Sequence, residues 1–376
     1  MKEAYIVAAV RTPVGKAFKG LLSKTRPEDL AVHCTLELLR RIPSLDPEII
    51  DDLILGCAMP EAEQGMNAGR MVVLQAGLPD SVCGLTLNRY CSSGLQALSL
   101  AADSIVLGRA KAVLSGGMES MSLIPLGGHK ITPHPELVKK RPLSYLTMGL
   151  TAERVAEKYH ISRMRQDEFA YTSHQKAIKA QVEKKFISEL VTTLPLQVDE
   201  GPRADTSPSV LAQLPPVFKN QGTVTAGNSS QVSDGAALAL LMDEKTVNQL
   251  GVKPLARWVS FAVAGCSPEL MGMGPIYAIP KVLKQADWTP DSIDLWELNE
   301  AFAAQALAVM DVLKLPPDKV NVNGGAIALG HPLGCTGTKL AVQLIYELQK
   351  RGLKRGCVSM CIGGGMGAAG LLEVIP

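Results

Sequence analysis

The sequence has almost no excess of either charge: 38 lysines and arginines face 36 aspartates and glutamates, a formal net charge of +2. It also lacks any run of basic residues interleaved with aromatics, so neither nucleic acid nor an anionic membrane surface is an expected partner. No apolar run is long enough to span a bilayer, and Met1-Lys2-Glu3-Ala4-Tyr5-Ile6 has no long apolar core of the signal-peptide kind. The closing Glu373-Val374-Ile375-Pro376 is neither a Ser-Lys-Leu type ending nor a prenylation box. Histidine is scarce, and none of the six pairs with the eight cysteines at a zinc-like spacing, so no metal site is expected. Together these absences point to a cytoplasmic protein whose cysteines stay reduced.

What remains is the composition of a globular enzyme, 47% hydrophobic with 34 glycines, in a chain long enough for two or three domains. Apolar strands alternate with amphipathic helices: a strand at Ala4–Val10, a helix from Pro27 with Leu30, Cys34 and Leu38 in register, and strands at Leu53–Gly56 and Ala112–Ser115. That alternation predicts an α/β fold with a mostly parallel sheet covered on both faces. Gly116-Gly117-Met118-Glu119-Ser120-Met121-Ser122 breaks the rhythm. Residues 118–233 are looser and richer in proline, and read as an inserted loop domain over a core formed by 1–117, completed by about 234–254. The alternation resumes in 255–376, with strands at Ile293–Leu298, Cys357–Cys361 and Ala369–Val374. Each half has an apolar strand ending in a cysteine followed by small residues, which suggests a duplicated βαβ unit with one cysteine per copy.

Leu85–Leu98 reads as a strand, a turn and a long helix that starts just after Cys91. Unpaired N–H groups and the positive end of the helix dipole at that junction would favour thiolate over thiol. The stretch admits two readings, a nucleophile or a small buried core residue. Three stretches of the last third bear on the choice. Leu298-Asn299-Glu300-Ala301-Phe302 lies at a strand end. Asn323-Gly324-Gly325 leads to Gly330-His331-Pro332-Leu333-Gly334-Cys335-Thr336-Gly337. Met360-Cys361-Ile362-Gly363-Gly364-Gly365 follows. All three are placed where open α/β sheets bind ligands, beyond the carboxyl ends of strands. His331 sits in a loop too rich in glycine for ordinary core, which suggests a general base for a cysteine nucleophile. The Gly363–Gly365 run could be a bare loop, a phosphate cradle or a set of oxyanion-binding N–H groups; no Lys-Ser/Thr follows, which excludes a P-loop.

These stretches, with Val10-Arg11-Thr12-Pro13-Val14-Gly15, Cys91-Ser92-Ser93-Gly94, Gly222-Thr223-Val224-Thr225-Ala226-Gly227-Asn228 and the Gly116–Ser122 segment, resemble the thiolase family from end to end. Any one is weak, but their order and spacing together are highly specific. The resemblance implies two similar core domains in five layers, α-β-α-β-α, with an inserted loop domain. It implies Cys91 as the nucleophile that takes the acyl group and His331 as its base. Cys361 would be the second acid/base, protonating the acetyl-CoA carbanion in cleavage or removing the α-proton in condensation. Asn299 would hold a water that forms one oxyanion hole with His331, and the N–H groups of Cys91 and Gly363 would form the other. Ser230, Met148 and Phe302 match positions that contact the pantetheine and acyl region. Coenzyme A enters as substrate, with no permanently bound cofactor, and the expected assembly is a homodimer or a dimer of dimers.

Within the family, Thr147 stands where acetoacetyl-CoA thiolases of the biosynthetic kind often have histidine. The stretch His331–Gly337 is more similar to the broad-range 3-ketoacyl-CoA thiolases of fatty-acid β-oxidation, with Cys335 as a subgroup marker. A 3-ketoacyl synthase would carry no second thiol at Cys361. A non-catalytic acyl-CoA-binding relative would have lost Cys91 or His331.

Overall fold

The computed structural model describes residues 3–375. In the first half lie strands β1 (Ala4–Arg11), β2 (Gly15–Lys16), β3 (Ile50–Gly56), β4 (Cys83–Leu87), β5 (Ala112–Ser120) and β6 (Ser233–Asp243). Helices α1 (Pro27–Arg41), α2 (Ala68–Gln75) and α3 (Ser93–Val106) connect them, and α4 (Pro135–Lys140), α5 (Met148–Lys158), α6 (Arg163–Val182) and α7 (Pro208–Ala212) fill the excursion between β5 and β6. After α8 (Glu244–Leu250) come β7 (Ala256–Gly265), α9 (Pro275–Gln285), β8 (Leu295–Leu298), α10 (Ala303–Leu313), α11 (Ala326–Leu329), α12 (Leu333–Arg351), β9 (Arg355–Ile362) and β10 (Met366–Val374).

The strand order β4-β3-β5-β6-β1-β7-β10-β9-β8 reads the same way outward from its centre. β6 and β5 flank β1 as β10 and β9 flank β7, and a parallel bridge from Trp296 to Val320 beyond β8 matches the β3–β4 pairing. The chain is thus two copies of one unit, joined where Ala4–Ile6 pairs with Ala256–Trp258. Past that junction the half-sheets separate and hold α3 and α12 between them. Strand alternation sorts the side chains accordingly. Leu238, Leu240 and Met242 of β6 face α1 and α2, while Ala239 and Leu241 face α3 and α12. On β10, Ala368 and Leu372 point inward and Ala369 and Leu371 face α9 and α10. Five layers result, α-β-α-β-α. A helix between two sheets has no solvent face, which is why α12 is buried nearly all round from Leu333 to Leu348.

Three expectations need correction. The sheet is mixed: β3/β4, β3/β5 and β8/β9 are parallel, while β5/β6, β1/β6, β1/β7, β10/β7 and β10/β9 are antiparallel. Helical crossovers keep strands parallel, but β6 returns after the long excursion and β10 after a tight turn, and both run back. Gly116-Gly117 does not interrupt β5, which continues to Ser120; side chains there would collide with the carbonyls of Ala237 and Gly334. The two cysteines are also not equivalent copies. Cys91 precedes α3, whose counterpart α12 is preceded by His331, whereas Cys361 lies inside β9, the counterpart of β5.

Candidate active site

Cys91 sits in a tight strand–turn–helix junction. Tyr90 just before it has a left-handed backbone, φ 45°, a conformation that costs a tyrosine about 1–3 kcal/mol and must be held by its surroundings. Local hydrogen bonds do the holding. The Ser93 hydroxyl accepts from the Arg89 N–H at 2.9 Å and donates to the Tyr90 carbonyl at 2.7 Å, and the Tyr90 N–H donates to Asn88 Oδ1 at 2.7 Å. Ser93 therefore builds the turn rather than capping α3, and the turn lifts the Cys91 sulfur toward the second half of the molecule.

Three segments of that half carry the other expected site residues. Asn299 follows β8 directly, and its N–H donates to the Ser359 carbonyl of β9 at 2.9 Å. His331 ends the loop before α12, its N–H shared between Gln231 O at 3.3 Å and Ser233 Oγ at 3.2 Å. The ring Nε2 lies 3.3 Å from Asn299 Nδ2, and the ring Nδ1 lies 2.6 Å from Thr336 Oγ1. Cys361 is at the end of β9, fully buried. Beyond it Gly364 and Gly365 turn the chain into β10 with φ of 82° and 85°, a path open to glycine, and the turn directs the Gly363 N–H at the Cys91 sulfur. The structure thus groups Cys91 with Gly363 and Cys361, and pairs Asn299 with His331. Asn299 Oδ1 is buried and has no hydrogen-bond partner.

Met148 opens α5 and packs with Phe302 against Cys361, and its sulfur would lie 3.7 Å from a Cβ on Gly363. The Phe218 ring meets the Phe302 ring edge-on, centroids 6.1 Å apart. Ser230 is half-buried alongside, its N–H donating to the Ala301 carbonyl at 2.9 Å. These three expected substrate contacts, Met148, Phe302 and Ser230, border the sulfur-bearing centre from the excursion and the start of α10. Cys335 is buried in the first turn of α12.

Burial governs the electrostatics. It pushes the Cys91 thiol up to about 11, against the opposing pull of the N–H groups of Gly363 and of Cys91 itself. Burial raises Cys361 well above the ordinary thiol range, and negative charge on Cys91 raises it further. His331 is pulled down to about 3, first by burial and then by the Lys339 ammonium. The N–H groups favour the thiolate, in the direction expected of the helix end, but burial acts more strongly the other way. Burial thus favours a neutral imidazole and neutral thiols, protonation states suited to moving a proton at the moment of attack.

Several side chains that hold the site were not singled out from sequence. Glu119 is buried and accepts from the N–H groups of Ala58 (2.8 Å), Met59 (3.2 Å) and Gly334 (2.8 Å) and from Gln64 Nε2 (2.7 Å). It ties β5 to the entrance of α12. Glu300 accepts from Ser173 Oγ at 2.7 Å, Asn321 Nδ2 at 2.9 Å and the Ile327 N–H at 3.3 Å, which anchors the glycine-rich approach to His331. Both glutamates stand in conspicuous motifs, Gly-Gly-Met-Glu-Ser-Met-Ser and Asn-Glu-Ala-Phe, but their partners lie far away in sequence.

Comparison with known proteins follows the same outline. Residues 4–245 match the family model for the thiolase N-terminal domain, and residues 252–374 match that for the thiolase C-terminal domain. The chain is 52% identical to a 3-ketoacyl-CoA thiolase of Bacillus subtilis (strain 168), covering 100% of both chains. It is 45% identical to an acetyl-CoA acetyltransferase of Chromobacterium violaceum over 99% of both. Among solved structures, human mitochondrial 3-ketoacyl-CoA thiolase in complex with CoA superposes with a TM-score of 0.92 at 39% identity, covering 100% of this chain and 98% of that one. The acetyl-CoA acetyltransferase of Bacillus anthracis gives 0.91 at 41% identity, covering 100% and 99%.

Proposed function

Since the chain belongs to the thiolase family, an acyltransferase family, we propose that it cleaves 3-ketoacyl-CoA with coenzyme A to acetyl-CoA and a shortened acyl-CoA. The reaction is a reversible Claisen condensation carried through an acyl group on Cys91. The observation that carries this reading is the Cys91 sulfur held by the Gly363 N–H with a second thiol, Cys361, close enough to feel its charge; the Asn299–His331 pair supplies the base that the reading requires.

In the cleavage direction Cys91 attacks the 3-keto carbon as its proton passes to His331 Nε2. The N–H groups of Cys91 and Gly363 face the oxygen that gains charge there. The carbon–carbon bond breaks, and the departing enolate takes its proton from Cys361. Its oxygen is stabilised by His331 and by a water held at the free Oδ1 of Asn299. The Cys361 thiolate then accepts the proton of coenzyme A, whose sulfur attacks the acyl thioester. Cys91 leaves and recovers its proton from His331, so every proton is returned.

The same reading gives Ser230, Met148 and Phe302 to the pantetheine and acyl portion of the substrate, and places the enzyme in fatty-acid β-oxidation in the cytoplasm, where thiols stay reduced. It treats 118–233 as an inserted segment between core units 1–117 (with 234–254) and 255–376. The pairing of β5 with β6 from Ala112–Met242 to Ser120–Asp234 supports an excursion that leaves and re-enters between neighbouring strands. Homodimerisation is supported by β4, a sheet edge with Cys83 and Leu85 exposed.

The test is CoA-dependent loss of 3-ketoacyl-CoA over a range of chain lengths, with Cys91→Ala alongside. Turnover of medium and long chains supports the β-oxidation reading. Turnover confined to acetoacetyl-CoA makes the biosynthetic thiolase the better description. Absence of Cys91-dependent turnover overturns both.

A further inference from the structure

We propose that Thr336 is a positioning residue that holds the His331 ring with its proton on Nδ1 and leaves the Nε2 lone pair as the base. The inference rests on the thiolase reading of the site and concerns how that base is kept competent.

Thr336 is fully buried in the first turn of α12, four residues after Pro332. Its Oγ1 is 2.8 Å from the Pro332 carbonyl oxygen and 2.6 Å from His331 Nδ1. A carbonyl can only accept, and a threonine hydroxyl that gives its single proton to Pro332 keeps a lone pair for the ring. What the hydroxyl offers the ring is a lone pair. In that arrangement Nδ1 is the nitrogen that carries hydrogen, and Nε2 is bare. The other side of the ring agrees: Nε2 faces Asn299 Nδ2 at 3.3 Å, and an amide nitrogen donates. In the opposite tautomer donor would meet donor at Asn299, and the Thr336 hydroxyl would have to turn its proton from the Pro332 carbonyl to Nδ1.

The partner's chemistry matters as much as its place. A carboxylate at Nδ1 orients a histidine and also stabilises the imidazolium that forms. A hydroxyl orients the ring without adding a charge. The site therefore fixes direction and tautomer while leaving the imidazole neutral, as a base that takes the Cys91 proton and later returns it requires. Thr336 acts through His331.

Two measurements test this. The first is NMR on protein with 15N-labelled histidine rings, His331 being assigned by the loss of its signals in His331→Ala. The expected result is the Nδ1–H tautomer in the unsubstituted protein and in Thr336→Ser. The second is steady-state kinetics. Thr336→Val keeps the shape and removes the hydroxyl, and kcat should fall about 10- to 100-fold, the usual cost of losing a partner that orients a functional histidine. KM should move less than about twofold, because ground-state binding is untouched. Thr336→Ser should restore kcat to within about threefold, since the lone pair returns. An Nε2–H tautomer in the unsubstituted protein overturns the proposal, as does a folded Thr336→Val with undiminished kcat or a Thr336→Ser that fails to rescue. If Thr336→Val does not fold, the tautomer and the serine variant decide. Absence of Cys91-dependent turnover in the unsubstituted enzyme would sink the thiolase reading instead, and the ring tautomer would still decide the role of Thr336.

Discussion

Arg11 and Asp199, 188 residues apart, form a two-pronged ion pair closed off from solvent, Nη1 to Oδ1 at 2.7 Å and Nη2 to Oδ2 at 2.9 Å. Glu189 takes the remaining guanidinium edge, Nε to Oε1 at 2.7 Å, and Asp199 Oδ1 also accepts the Val14 N–H at 2.8 Å. One cation at the end of β1 thereby fastens the far end of the excursion to the core. The motif Arg11-Thr12-Pro13-Val14-Gly15 gains a physical reason that has nothing to do with touching substrate. The fork geometry of arginine matters, because a lysine cannot serve two carboxylates in one plane.

The first prediction follows from that pair. Arg11→Met leaves Glu189 and Asp199 buried without their counter-charge, and removing one partner of a buried pair costs about 3–5 kcal/mol. The midpoint of urea unfolding should fall accordingly, and Arg11→Lys should fall between the two. An Arg11→Met protein as stable as the parent would show that the excursion is held by other contacts.

Glu119 supports a second prediction. Four donors point at its carboxylate from three segments, so Glu119→Gln places an amide N–H against N–H groups that have no other acceptor nearby. An unmet buried donor costs about 1–3 kcal/mol, and the entrance of α12 loses its tie to β5. Reduced thermal stability together with a lower kcat is expected. A stable variant with a normal kcat would mean that α12 is positioned by packing alone.

How much of this was visible in the sequence differs from element to element. Strand positions were legible wherever apolar runs met turn residues, as at Leu53–Gly56 and Ile293–Leu298, because period and punctuation are local signals. Direction was not, since whether β6 or β10 runs parallel depends on the path between strands. The residues of the site were legible through motifs, and Cys91 and His331 stand where those motifs put them. The balance of forces on the Cys91 thiol was legible only in part. The sequence displays the helix that follows a cysteine, but the desolvation that opposes its charge comes from segments hundreds of residues away. Thr336, Glu119 and Glu300 escaped notice for the same reason.

A third prediction concerns assembly. β4 is an outermost strand, and Leu85 in its middle is 41% exposed, so its free backbone edge and its apolar side chain are both available to a second copy. Leu85→Lys should shift the sedimentation coefficient from dimer toward monomer while leaving the far-UV circular dichroism unchanged. A dimer that persists at the same concentration would place the interface elsewhere.

The last prediction reads the charge state of the nucleophile directly. With the thiol pushed up to about 11 and His331 pulled down to about 3, the resting site holds a neutral pair rather than a thiolate beside an imidazolium. Alkylation by iodoacetamide needs thiolate, so the rate at Cys91, followed by mass spectrometry of its peptide, should climb about tenfold per pH unit from about pH 6 to about pH 9 without levelling. Lowering the pH through the ordinary histidine value near 6.5 should give no inflection, because burial keeps the His331 ring unprotonated there. A preformed ion pair behaves differently: its thiolate is present on the acid side of neutrality, and the rate is flat where the pair is intact. A plateau between about pH 6 and about pH 8 would therefore show that the N–H groups and His331 overcome desolvation, and that the proton leaves Cys91 before substrate arrives rather than during the attack.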